Sequence, residues 1–103
     1  MAQKPETKFR NNLVFPFLRS LANCHFFPIQ QQSIRGTPDI LICLTGRFVS
    51  MELKSDEGKP DPLQMYNTDQ VINSGGVGLV ISPSNWEDAK VFLTKLSKRR
   101  KYV

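Results

Sequence analysis

The sequence predicts an α/β fold in which a mixed β-sheet is flanked by helices, with its elements in the order α-β-β-β-α-β-α. Its 103 residues contain no repeat, linker or low-complexity segment, so residues 1–103 are predicted to form a single domain. Two runs rich in β-branched and aromatic residues, 38–44 and 47–54, lie on either side of a short break that contains glycine, which indicates a β-hairpin. Two segments with helix-capping signals follow, and a short apolar strand separates them.

The N-terminal part of the chain is predicted to hold one long helix and an edge strand. Between about residues 5 and 21, apolar side chains recur at intervals of four, which is typical of a helix; they are Phe9, Leu13, Phe17 and Leu21. Pro16 falls inside this pattern and is expected to kink or divide the helix. Residues 25–29 are typical of a strand, and Pro28 places that strand at a sheet edge or a bulge.

The C-terminal part is predicted to hold two helices and a strand between them. Asp61 is a candidate N-cap and Gln64 follows three residues later, which together form a capping box. The helix is expected to run to about residue 73 and to end at the glycines 75 and 76. Residues 77–81 form a short apolar strand, and Ser84 is predicted to cap the last helix.

The composition favours a cytosolic protein with an anionic partner. The chain has 14 Lys and Arg against nine Asp and Glu, a net charge of +5, and the run 98–101 in the basic C-terminal tail (95–103) carries four of these charges. Such a run suggests a phosphate backbone, but cations at a helix end also complement the helix dipole. Two cysteines and one histidine cannot complete a tetrahedral zinc site. No apolar stretch resembles a signal core or a membrane span.

The hairpin register brings two acidic residues together. If Thr45 and Gly46 are the two turn residues, Asp39 lies directly opposite Glu52, and Lys54 follows on the same face. The other face is wholly apolar and is expected in the core; it carries Ile40, Ile42, Leu44, Val49, Met51 and Leu53. A bulge at the turn would offset this pairing by one residue, and the alternative carboxylates would then be Asp56 and Glu57.

Two opposed carboxylates repel each other unless a cation neutralises them. Mg²⁺ would do so, because it favours one or two carboxylates together with waters and phosphate oxygens. Lys54 could then orient an attacking water or stabilise charge at a phosphorus atom. The alternative is a sheet edge where Asp39 and Glu52 point into water and Lys54 forms a weak, exposed ion pair.

The segment Gly36-Thr37-Pro38-Asp39, followed after twelve residues by Glu52-Leu53-Lys54, resembles the PD-(D/E)xK nuclease signature. The loop with Gly58-Lys59 and Pro62-Leu63-Gln64, and the glycine pair before an apolar strand, are similar to the VRR-NUC branch of that superfamily. The resemblance covers residues 36–83 well and the first helix more loosely. It implies a restriction-endonuclease-like core. The chain departs from the family before Gly36, where Arg35 is the nearest cation.

The resemblance also implies a set of site residues. Asp39, Glu52 and the backbone carbonyl of Leu53 would hold Mg²⁺ or Mn²⁺, Lys54 would be the catalytic lysine, and Gln64 would support the site. Glu6 is the only candidate for a further glutamate from the first helix, although an acid there also favours the helix dipole. Gln64 has an alternative role as the capping partner of Asp61.

By the same resemblance, the protein is expected to be a metal-dependent endonuclease that resolves four-way (Holliday) DNA junctions as a homodimer in the cytoplasm of a bacterium or a phage-infected cell. The candidate DNA contacts are Arg35, Lys98, Arg99, Arg100 and Lys101. One alternative is a non-catalytic nucleic-acid-binding module that uses the basic tail. Another is a regulator that binds a partner through a degenerate nuclease fold.

Overall fold

The chain forms an α/β structure with a four-stranded mixed sheet, in a computed structural model that describes residues 4–29, 36–59 and 61–98. The predicted class, a mixed sheet flanked by helices, is confirmed. The elements are α1 (Pro5–Phe9), a π-helical segment (Arg10–Val14), α2 (Phe15–Ser20), β1 (Cys24–Pro28), β2 (Ile40–Leu44), β3 (Arg47–Leu53), α3 (Pro62–Asn73), β4 (Val77–Ile81), a 3₁₀ turn (Pro83–Asn85) and α4 (Trp86–Leu96).

The strands lie in the order β1-β2-β3-β4. The first three are antiparallel neighbours, and β4 pairs with β3 in parallel. Strand β1 is therefore at an edge, as predicted. Proline is tolerated there because an edge strand has one side without a neighbouring strand, so the missing N–H of Pro28 breaks no hydrogen bond on that side. In the part of the chain that the structure describes, no helix has the length and apolar character needed to cross a membrane.

The turn between β2 and β3 fixes their register. Thr45 and Gly46 both have positive φ, 54° and 78°, which is the backbone of a two-residue type I′ hairpin turn. Ile40 consequently pairs with Met51, and the predicted register is confirmed along β2. The six side chains predicted to face the core are all buried: Ile40, Ile42, Leu44, Val49, Met51 and Leu53.

The N-terminal helix is divided before Pro16, as expected, and the division changes which residues are buried. The Phe15 N–H donates to the carbonyl of Arg10, five residues earlier, so this turn is wider than an α-helical turn. The extra residue shifts the inward face by one position. Val14 and Leu18 are therefore buried, whereas Leu13 of the predicted stripe is 49% exposed.

Helices pack on both faces of the sheet. On the core face, Trp86 of α4 makes edge-to-face contacts with Phe9 and Phe17, at ring-centroid distances of 5.6 and 5.3 Å. On the opposite face, α3 passes so close to β4 that a Cβ atom added to Gly78 would lie 2.8 Å from the Thr68 carbonyl oxygen. A side chain at residue 78 would push α3 away from the sheet.

The two C-terminal helices differ in how well their starts were predicted. The capping box of α3 is present as expected: the Asp61 side chain accepts from the Gln64 N–H, and the Gln64 side chain accepts from the Asp61 N–H. The predicted Ser84 cap is wrong. Ser82 and Asn85 form the capping box instead, because a 3₁₀ turn precedes α4 and moves the first helical turn towards the N-terminus.

Candidate metal centre

Asp39 and Glu52 lie together at the end of the hairpin away from its turn. The Asp39 N–H donates to Glu52 Oε1 at 3.0 Å, and the Leu53 N–H donates to Asp39 Oδ2 at 2.7 Å. Each carboxylate is thus held by a backbone N–H of the opposite strand. These two bonds continue the register of the hairpin beyond its last ladder pair, and they fix both acids without neutralising either.

Glu52 is buried, with only 2% of its surface exposed. Helix α3 crosses this face of the sheet, and Ser50, two residues earlier on the same face, is buried as well. Glu52 Oε2 is buried and has no hydrogen-bond partner among the described residues. A buried carboxylate oxygen without a partner is costly, so this atom requires an explanation.

The surroundings of Glu52 raise the pKa of its carboxyl group to about 7, chiefly because burial disfavours the charged form. The negative charges of Asp39 and, more weakly, Asp61 raise this pKa further. The Lys54 ammonium and the hydrogen bond from the Asp39 N–H act in the opposite direction without offsetting the rise. The ionised form of Glu52 is therefore disfavoured, because the nearby positive charge does not compensate for burial and for the neighbouring acids.

The backbone of Leu53 contributes to the same end of the hairpin. Its N–H points towards the β2 side, to the Asp39 carboxylate, and in an extended strand the carbonyl of the same residue points to that side too. Continuing the register places Pro38 opposite Leu53, and proline has no N–H to donate to this carbonyl. The Leu53 carbonyl is therefore directed to the side of β3 on which the Asp39 carboxylate lies.

The start of α3 lies beside these acids. The loop before β2 is pressed onto α3 at Gly36, whose φ is +82° and whose carbonyl accepts from Asn67 Nδ2 at 3.0 Å. A Cβ at residue 36 would lie 2.8 Å from Leu63 Cγ, so glycine is required there. Sequence reasoning treated Asp61 only as a helix cap. Its negative charge also raises the pKa of Glu52. The sequence feature that could have indicated this proximity is the short loop between β3 and α3.

Lys54 and Gln64 lie on either side of that loop. Lys54 follows β3 directly and is half-buried, and its N–H donates to the Ile81 carbonyl at 2.9 Å, which anchors its backbone to β4. Gln64 is also half-buried. Its Oε1 accepts from Asp61, so its capping role is present and its amide NH₂ group is the part left to donate.

Of the remaining predicted residues, those that the structure describes are not brought to this centre. Glu6 lies in the first turn of α1, and among the described residues no group of three or more His, Cys, Asp or Glu side chains is placed to hold a metal ion. Arg35, Arg99, Arg100 and Lys101 lie outside the described residues. Lys98 is exposed just beyond α4, at the turn end of the hairpin.

Comparisons with protein-family models, with curated proteins and with solved structures find no match to this chain.

Proposed function

We propose that the chain is a Mg²⁺- or Mn²⁺-dependent endonuclease with a restriction-endonuclease-like core of the VRR-NUC type. The observation that carries this proposal is Glu52 Oε2, a buried carboxylate oxygen with no hydrogen-bond partner in the described part of the chain, beside a second carboxylate that opposes it across the hairpin. A divalent cation would offset the repulsion between the two carboxylates and would give Glu52 Oε2 the partner that it lacks among the described residues. The motif resemblance supplies the enzyme class.

The donor set fits a hard divalent cation. The Asp39 and Glu52 carboxylates and the Leu53 carbonyl are all oxygen donors, as Mg²⁺ prefers, and two carboxylates are the number it commonly takes together with waters and phosphate oxygens. When bound, such a cation would polarise the scissile phosphate and make a water more acidic. One oxygen of each carboxylate is already held by a backbone N–H, which leaves the second oxygen of each for the ligand.

The side chains around this donor set have distinct parts in phosphodiester hydrolysis. The Lys54 ammonium supplies positive charge where negative charge builds on the phosphate oxygens. The Gln64 NH₂ group can donate to a phosphate oxygen or orient the attacking water, while its oxygen keeps the cap of α3. The cap thereby fixes the position of a substrate-facing amide.

The proposal also includes a preference for four-way junctions and a homodimeric state, both of which rest on the resemblance to the VRR-NUC branch. A second copy would extend the surface of a 103-residue chain and present two cleavage sites related by two-fold symmetry.

Cleavage of labelled DNA tests the proposal. A four-way junction and a linear duplex of the same sequence are incubated with Mg²⁺, Mn²⁺ or EDTA, using the wild-type chain, Lys54→Ala and Lys59→Ala. Lys59 is an exposed lysine in the same loop and serves as the matched control. We expect metal-dependent cleavage that falls by about 10²–10³-fold in Lys54→Ala, the effect of removing one charge-stabilising group, and is unchanged in Lys59→Ala.

Activity that survives EDTA, or equal cleavage by Lys54→Ala, would refute the nuclease mechanism. Equal cleavage of both substrates would remove only the junction preference. The second candidate function, a non-catalytic module that binds nucleic acid through the basic tail, is favoured by the exposed position of Lys98. It predicts duplex binding in EDTA that is lost on deleting residues 98–101 and is unaffected by Asp39→Ala.

A further inference from the structure

A groove of about 620 Å³ lies at the turn end of the hairpin, where the start of β1, the β2–β3 turn and the end of α4 meet. Three cationic side chains and one histidine line it: Arg47, Lys95, Lys98 and His25. Each of these residues is exposed, and no aspartate or glutamate is among the described residues that line the groove. The groove is therefore a surface of one charge sign.

The concentration of charge is unusual for this chain. Ten of the 14 basic residues and all nine acidic residues lie in the described part, which leaves a net charge of +1 there. Arg47, Lys95 and Lys98 contribute +3, so the rest of the described surface is slightly acidic. A local excess of this kind attracts anions more strongly than the net charge suggests.

Among the described residues, Arg47, Lys95 and Lys98 form no salt bridge, although Lys95 lies in the last turn of α4, where its charge complements the helix dipole. The Leu96 and Ser97 carbonyls at the end of α4 accept from Thr45 Oγ1 and Asn23 Nδ2, each at 2.7 Å, so the end of the helix does not need the lysine side chains as hydrogen-bond donors. The salt bridge found in the described part of the chain joins Lys90 to Glu87, outside the groove. The positive charges of Arg47, Lys95 and Lys98 are therefore available to a ligand.

The groove is separate from the candidate metal centre. Arg47 and Glu52 are five residues apart on β3, about 17 Å in an extended strand. Because side chains alternate, Arg47 belongs to the face that packs on α4, and Glu52 belongs to the face that packs on α3. The two features therefore occupy opposite ends of the hairpin, and Arg47 and Glu52 lie on opposite faces of it.

We infer that this groove binds the phosphate backbone of a nucleic-acid duplex through Arg47, Lys95 and Lys98. Phosphate contacts are made by arginine and lysine side chains of this kind and require no apolar lining. An extended polyanion is favoured over a small phosphate compound because Arg99, Arg100 and Lys101 follow Lys98 directly in the sequence. Binding here requires neither a metal ion nor cleavage.

Fluorescence polarisation with a labelled 20-base-pair duplex in EDTA tests the inference without any contribution from cleavage. The double variant Arg47→Ala/Lys95→Ala removes two groove cations and keeps the C-terminal tail. The matched control Lys4→Ala/Lys8→Ala removes two exposed cations, one at the N-cap of α1 and one within this helix. We expect the groove variant to raise Kd by about tenfold at 0.1 M KCl and to reduce the slope of log K against log salt by about two, whereas the control stays within twofold.

Circular dichroism melting of both variants verifies folding. Equal losses in the two variants, or no loss in either, would overturn the inference, and so would an unchanged salt slope. Displacement of the duplex by inorganic pyrophosphate at micromolar concentration would instead assign the groove to a small phosphate ligand. Binding of vesicles that contain phosphatidylserine, without duplex binding, would assign it to a membrane surface. A nuclease assay that fails leaves this test intact, because binding is measured in EDTA.

Discussion

The two ends of the β2–β3 hairpin carry opposite charges in opposite environments. At the open end, Glu52 is buried on the sheet face against which α3 packs, and one of its carboxylate oxygens has no partner among the described residues. At the turn end, Arg47 and Lys95 are exposed to water. The same two strands therefore present a buried acidic centre and a solvated basic groove. Burial makes the difference: changes at the open end should alter both activity and stability, and changes at the turn end should alter mainly binding.

The largest expected effect is the loss of cleavage in Glu52→Gln. This change keeps the size of the side chain and removes its charge, so it would weaken the hold on a divalent cation while preserving the fold. We expect cleavage of labelled DNA in Mg²⁺ to fall by roughly 10²–10³-fold. Glu57→Gln, at an exposed glutamate in the following loop, is the matched control and should retain activity. Equal activity of the two variants would separate Glu52 from the chemistry.

The open end should also make stability depend on pH in the absence of divalent cations. The pKa of Glu52 is raised from 4.5 to about 7 on folding, so the folded state binds this proton more tightly than the unfolded state. The stability this proton provides is complete below about pH 4.5 and is lost as the pH rises through about 7. The free energy of unfolding should fall by up to about 3 kcal/mol across this range.

Urea unfolding in EDTA between pH 5 and pH 8.5 measures this dependence. Glu52→Gln cannot ionise at residue 52, so the difference between its free energy of unfolding and that of the wild type should grow in favour of the variant as the pH rises. Parallel curves for the two proteins would show that Glu52 does not titrate in this range.

A smaller effect is expected from Mg²⁺ at the open end. At ten times its dissociation constant, a ligand that binds only the folded state stabilises it by about 1.4 kcal/mol. Thermal melting at pH 8 should therefore show a Mg²⁺-dependent rise in Tm for the wild type and none for Glu52→Gln. The rise should shrink at pH 6, where a proton competes for the same carboxylate. An equal rise in Arg47→Ala would confine the cation to the open end.

The sequence was informative where local rules decide the structure. Thr45-Gly46 selects a two-residue turn, and the resulting register places Asp39 opposite Glu52. Asp61 and Gln64 likewise mark the start of α3 through the hydrogen bonds between them. These features depend on neighbours within a few residues or on one strand pairing. The open end of the hairpin could therefore be assembled from the sequence.

Tertiary packing decides what the sequence did not reveal. The burial of Glu52 depends on α3 crossing its face of the sheet, which the hairpin pattern does not encode. Val14 is buried in place of the predicted Leu13 because the helix contains a wide turn with one extra residue. A regular helical period, on which the prediction was based, does not include such a turn. The basic groove brings together three segments distant in sequence, so counting charges along the chain pointed to the tail and missed Arg47.

The smallest effect should come from Gly46→Ala, which perturbs the turn at the edge of the basic groove but removes no charge from either end of the hairpin. Gly46 has φ of +78°, but a Cβ atom added there would meet no atom within 4 Å, so the change strains only the backbone. We expect the free energy of unfolding to fall by about 1 kcal/mol in urea titrations, with cleavage and duplex binding preserved. A larger loss, or a loss of cleavage, would mean that alanine at residue 46 changes the turn enough to shift the register at Asp39 and Glu52, and the two ends of the hairpin would then not be independent.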